Sequence, residues 1–179
     1  MAKHKIQFNW GTIIALLVSF AALITTIYEA NILKSQQQAM VWPYFEVGPT
    51  YNGEGFGFRA KNSGTGPAII TSVEVLHNGE PIGSFMELLR DVSPKDSVVN
   101  LYNYNYQSLN NTVFPPGEER MVFFMKWSPL NRMLEQRVGE IDIKVEYKSV
   151  LDDYWTYTLS TGEHVQERFQ SSKEFFTSD

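Results

Sequence analysis

The chain of 179 residues contains no cysteine, so it offers no disulfide framework, no thiolate metal site and no cysteine nucleophile. Without cysteine an oxidising compartment is neither required nor excluded. Histidine is scarce too: His4, His77 and His164 stand in three separate segments and share no metal-ligand spacing. Positive charge is short as well. From residue 41 onward, 12 basic residues face 19 acidic ones, a net charge of −7. That balance disfavours nucleic acid and anionic lipid as partners, because no large basic patch is available to release counterions. No internal repeat is visible, and no nucleophile–base pair, metal cluster or cofactor loop can be identified. The expectation is a chain with no cofactor, no metal, no nucleic-acid partner and no catalytic activity.

What the sequence does have is a long uncharged run, residues 6–28, set between Lys3, His4 and Lys5 on one side and Glu29 on the other. As a helix rising about 1.5 Å per residue it would be roughly 34 Å long, enough to cross a hydrocarbon core of about 30 Å with some tilt. Trp10 and Tyr28 flank its apolar centre, where amphipathic rings favour the membrane–water interface. A cleavable signal peptide has a shorter apolar region, about 7 to 15 residues, ending in a small-x-small site. This run ends instead in Thr25-Thr26-Ile27-Tyr28. The reading is an uncleaved single-pass anchor in a lipid bilayer, with residues 1–5 cytoplasmic, 6–28 transmembrane and 29–42 a polar helical stalk. Lys3 and Lys5 put the N-terminus inside and the bulk of the chain outside. Gly11, Ala15 and Ser19 recur every four residues, a spacing that lets two membrane helices approach closely and would support a homo-oligomer.

After Trp42-Pro43 the punctuation changes. Gly, Pro and Asn recur every eight to twelve residues or so, between β-branched and aromatic runs, the pattern of a mainly β, antiparallel sandwich over residues 43–160. Strands are expected at 44–47, 55–61, 68–76, 80–88, 121–127, 140–148 and 154–159, with a short helix at 131–138. Residues 161–179 read as a polar C-terminal tail with room for a last strand. His77-Asn78-Gly79-Glu80 is a hairpin signal, since Asn-Gly accepts the positive φ angles of a type I′ turn. Ile141, Ile143, Val145 and Tyr147 alternate with Glu140, Asp142, Lys144, Glu146 and Lys148, which predicts one core face and one wet face.

Several features invite a chemical reading and are better explained by structure. Asp142 and Glu146 interleave with lysines on the expected wet face, and Asp152-Asp153 forms a hairpin turn, so neither pair has a legible activating environment. Residues 62–70, Asn-Ser-Gly-Thr-Gly-Pro-Ala-Ile-Ile, contain two glycines, but no Gly-Lys-Ser/Thr ending follows and the next run is strand-like, so no helix N-terminus is offered to a phosphate. Asn110-Asn111-Thr112 matches a glycosylation sequon that chance also explains. The residues 92–116 are different. Tyr102, Tyr104 and Tyr106 alternate with asparagines, which puts three rings on one face of an extended segment. Exposed, that row would grip a protein or stack on sugars; buried, it would fill the sandwich or cover a sheet edge.

The Asn-x-Gly-x-Gly-Pro-Ala loop at 62–68, the Pro116-Gly117-Glu118 turn and the hairpin from Tyr147-x-Ser149 to Asp153-x-Trp155 resemble a recurrent bacterial pattern. It is similar to that of bacterial proteins of unknown function with an N-terminal membrane helix and an immunoglobulin-like β-sandwich. The resemblance implies a fold, a topology and a bacterial inner or plasma membrane, and carries no functional residues. The functional expectation is a membrane-anchored extracytoplasmic interaction module, an accessory subunit or sensor that binds another membrane or envelope protein. The alternative is a glycan or cell-envelope binding module using the tyrosine row.

Overall fold

The structure is a computed structural model that describes residues 9–93, 104–169, 171, 173 and 175. The chain divides into two units, one ending at Ala39 and one beginning at Met40. The first is built on a continuous helix α1, Trp10–Met40, none of whose residues is buried. Asn9 starts it: its side chain accepts from the Gly11 N–H at 3.1 Å and its carbonyl from the Thr12 N–H at 3.0 Å. By length and composition α1 can cross a membrane, the property that membrane anchors and N-terminal signal sequences share. The expected polar stalk runs on as the same helix, through Gln36-Gln37-Gln38 to Met40.

The second unit is mainly β. In chain order it comprises β1 (Phe45–Tyr51), β2 (Gly55–Asn62), β3 (Ala68–His77), β4 (Glu80–Ile82), α2 (Phe85–Val92), β5 (Tyr104–Tyr106), β6 (Val113–Phe114), β7 (Glu119–Lys126), α3 (Pro129–Gln136), a single 3-10 turn (Val138–Glu140), β8 (Ile141–Lys148), β9 (Tyr154–Thr158) and β10 (Glu163–Val165). Two antiparallel sheets form. One has the order β1-β2-β7-β5; the other has the order β10-β9-β8-β3-β4, with β6 paired to the start of β3. Alternation along the strands sends Phe45, Val47, Phe56, Phe58, Phe123 and Met125 from the first sheet, and Ile70, Val73, Val75, Ile143, Val145 and Tyr147 from the second, into one buried cluster. Each such side chain contributes about 1.5–3 kcal/mol by leaving water. A sandwich-like domain after an N-terminal apolar helix is what the pattern of turns and alternation implied. The Asn78-Gly79 turn is present with both φ angles positive, 52° and 84°, pairing His77 with Glu80.

Three expectations are corrected. Residues 80–88 are not one strand, because β4 stops at Ile82 and α2 begins at Phe85. Ser84 accepts from the Glu87 N–H at 3.2 Å, Glu87 accepts from the Gly83 N–H at 2.6 Å, and Phe85, Leu88, Leu89 and Val92 then lie on one buried helical face. The short helix α3 starts two residues earlier than expected, since Ser128 caps it and Pro129 occupies its first turn. The outer face of β8 is not uniformly wet. Glu146 is only 3% exposed, because the C-terminal segment lies across it: the Phe169 N–H reaches its carboxylate at 3.1 Å and Arg168 at 3.5 Å.

Candidate functional site

The two glycines of the loop after β2 are needed where the backbone enters the domain. A side chain on Gly64 or Gly66 would strike the main chain of residues 41–44. The loop grips that entry segment through the Ser63 N–H to the Tyr44 carbonyl at 2.7 Å and the Thr65 N–H to the Trp42 carbonyl at 2.9 Å. Asn62 is fully buried at the centre. Its Oδ1 accepts from the Tyr44 N–H (3.1 Å) and the Gly64 N–H (3.0 Å), and its Nδ2 donates to the carbonyls of Gly66 and Phe114, both at 2.8 Å. A primary amide has about four hydrogen-bonding positions, and here each is used by the protein itself. The loop is a clamp with nothing left over for an anion.

The tyrosine segment is arranged otherwise. Tyr102 lies outside the described residues. Tyr104 and Tyr106 form the ends of β5, the edge strand of the first sheet, and pair with Met125 and Phe123 of β7. Both point to the core side, as their period-2 spacing requires, but they differ in burial. Tyr104 is half-buried with its ring 5.5 Å from Phe123, and burial raises its pKa, the charge of Tyr106 adding to the effect. Tyr106 is 58% exposed while still 6.2 Å from the ring of Phe85.

Beside Tyr106 lies an open groove of ≈ 410 Å³, lined by Asn52, Glu54, Asn105, Tyr106, Gln107, Met121 and Phe124. Its floor is apolar, Phe124 with the 41% exposed Met121, and its walls carry three amides and one carboxylate. The register explains this mixture. Asn105 lies opposite Phe124, on the face away from Tyr104 and Tyr106, so the edge strand presents tyrosines to one side and an amide to the groove floor. Sequence reasoning found Tyr106 but missed Met121 and Phe124, whose signal was the Phe123-Phe124 pair placing one ring on each face of β7. It also missed Asn52 and Glu54, which stand in the turn before Gly55. Asn52 shapes that turn by accepting from the Glu54 and Gly55 N–H groups at 2.8 and 3.0 Å.

The other candidate residues are dispersed. In α1 the Ser19 hydroxyl donates to the Ala15 carbonyl at 2.8 Å, within its own helix, while Gly11, Ala15 and Ser19 remain on one face. His77 is buried between Asp91 at 3.5 Å and Glu140 at 3.3 Å, and His164 lies on β10 with Nδ1 2.8 Å from the Tyr147 hydroxyl. Burial pushes the His164 pKa down, partly opposed by the Glu46 carboxylate. Among the described residues no group of three or more His, Cys, Asp or Glu is placed to hold a metal ion. Asn110 of the sequon is engaged by the fold, donating to the Phe175 carbonyl at 2.7 Å.

An apolar N-terminal helix, a two-sheet domain clamped at its entry and a groove along one sheet edge define the class. The chain belongs to the DUF8453 family, a domain of unknown function whose model matches residues 8–173. The matched span takes in both the helix and the β domain. No curated protein matches the chain in sequence.

Proposed function

We propose that this is an uncleaved single-pass membrane protein whose β domain is extracytoplasmic and binds another membrane or envelope protein through the groove beside β5, without catalytic activity. The observation that carries the reading is the groove itself. A methionine and a phenylalanine left partly in water along one sheet face, with the exposed Tyr106 at the strand end and amides around them, match the apolar centre and polar rim of a protein-binding patch. Anchoring rests on the length of α1 beyond a signal sequence, and orientation on Lys3 and Lys5. Gly11, Ala15 and Ser19 supply a close-approach face for a second copy of the helix.

A photo-crosslinking residue in place of Gln107, in intact bacterial membranes, should trap a discrete partner, and Tyr106→Ser with Met121→Ser should abolish the adduct while leaving the domain folded. An adduct unaffected by those changes would remove the groove from the reading. For topology, a reporter fused after Asp179 should behave as extracytoplasmic, and an inward-facing signal would sink it. The second reading, a glycan or cell-envelope ligand, is favoured by Asn52, Asn105 and Gln107, whose amides can hydrogen-bond sugar hydroxyls while Tyr106 stacks on a ring. Capture of the protein by purified envelope polysaccharide, with no protein adduct at 107, would select it.

A further inference from the structure

The β domain repeatedly joins an arginine, an aromatic ring and a glutamate. Arg120 stands 4.3 Å from the centre of the Phe114 ring and bonds Glu118 at 2.6 Å; Arg132 lies 3.7 Å over Trp127 and bonds Glu135 at 3.2 Å; Arg168 lies 4.3 Å over Tyr154 and reaches Glu146 at 3.5 Å. The planar guanidinium suits both partners, its face to the ring and its N–H edge to the carboxylate. Each of these sets is complete within the chain.

The groove carries the ring and the carboxylate. Phe124 is half-buried on the outer face of the first sheet, and its ring extends across β2 because Gly55 has no side chain: a Cβ there would meet Phe124 Cζ at 2.8 Å. The residue before Gly55 is Glu54, exposed and lining the same groove. Its main chain is fixed, the N–H donating to Asn52 Oδ1 at 2.8 Å and the carbonyl accepting from the Trp127 N–H at 3.0 Å, so the carboxylate projects from a rigid turn. Among the described residues no cation pairs with it. Arg59, opposite Met121, is already bonded to Glu119 at 3.1 Å, and Lys126, opposite Gly55, makes no ion pair with Glu54.

We propose that the groove takes a polypeptide segment that supplies an arginine, its guanidinium over Phe124 and against Glu54, with an apolar side chain beside it on Met121. This rests on the groove being the binding surface and names the chemistry of its partner. Charge argues the same way, since the net charge of −7 from residue 41 onward favours a basic partner. The amides of Asn105 and Gln107 both donate and accept, which suits the main chain of such a segment. Lysine would satisfy the carboxylate but could not stack a planar face on the ring.

A library of random dodecapeptides displayed on phage, selected on the full chain in lipid nanodiscs and counter-selected on the Met121→Ser chain, tests this. Peptides retained by the parent alone should be enriched in arginine next to Leu, Ile, Met or Phe. Synthesised singly, they should lose affinity by about five- to tenfold on Glu54→Gln, and part of that factor when their arginine is exchanged for lysine. Selection on Glu54→Arg should turn the preference to aspartate and glutamate. Glu54 is exposed, so neither change threatens the fold. Peptides that need Met121 but show no arginine preference, or that bind Glu54→Gln unchanged, would overturn this inference and leave the groove as a binding surface. A library yielding no peptide that tells the parent from Met121→Ser would overturn both.

Discussion

The loop at residues 62–67 and the strand β5 are the two most conspicuous segments of the sequence, and the structure uses them in opposite ways. Asn62 has every hydrogen-bonding position filled by the protein, and Gly64 and Gly66 are held against the main chain of the entry segment. Tyr106 is 58% exposed next to a groove with a 41% exposed Met121. A conspicuous motif whose polar atoms are all satisfied internally has been spent on folding. A largely exposed aromatic beside a partly exposed methionine still has surface to bury, and that difference separates the clamp from the edge proposed to bind a partner.

The comparison breaks first at the clamp. Asn62→Ala would leave the Tyr44 and Gly64 N–H groups and the Gly66 and Phe114 carbonyls without their partner, at a cost of about 4 kcal/mol, close to the upper end for single substitutions. Gly66→Ala, which drives a methyl group into the main chain at Val41, should cost roughly 2 kcal/mol or more. Urea unfolding of the detergent-solubilised chain measures both, and an unchanged midpoint in either would mean that the loop is not a clamp.

A smaller effect distinguishes the two tyrosines. Tyr104→Ser removes a half-buried ring packed on Phe123 and should destabilise by about 2 kcal/mol, whereas Tyr106→Ser should cost about 0.5 kcal/mol or less. Binding should respond in the reverse order. If Tyr106 proves the more costly of the two to truncate, the edge belongs to the core and the groove loses its anchor residue.

Much of this arrangement was legible in the sequence because it is local. The Asn-Gly hairpin, the alternation from Ile141 to Tyr147 and the apolar helix each declare themselves within a few residues. What was lost depends on distant partners. Glu146 looked wet because nothing in its own strand announces that residues 168 and 169 will lie over it, and Phe175 looked like tail because its burial is created by β3 and α2. The strand expected at 80–88 failed for a nearer reason. Ser84 and Glu87 form a helix-start signal inside an apolar run, which a reading for alternation alone passes over. The groove was half legible: Tyr106 stands out, but its neighbours Asn52, Glu54, Met121 and Phe124 come from one other strand and a turn, and only the register of β7 brings them together.

The smallest effect concerns acid, and its upper part should fall on the clamp side. His164 packs against Tyr44, ring to ring at 4.0 Å, and Tyr44 is one of the groups held by Asn62. It also faces Tyr147 and Tyr157, with the Glu46 carboxylate nearby. Burial lowers its pKa below the ordinary 6.5, with Glu46 opposing, so the folded state favours the neutral ring. The unfolded chain then takes up the proton first as pH falls. The contribution of His164 is fully present above about pH 6.5 and is lost progressively below it, until the folded pKa is passed. Glu87 acts in a lower window. Its pKa is depressed chiefly by the hydrogen bond from Lys173, so its contribution is present above the ordinary 4.5 and is lost as pH falls through the folded value. Urea midpoints measured across the acid range should therefore decline in two steps for the parent chain. His164→Gln should remove the upper step and keep the lower one, and Lys173→Ala should do the opposite. If His164→Gln left the upper step in place, the proton would be entering elsewhere, and the histidine would have no part in holding the entry segment.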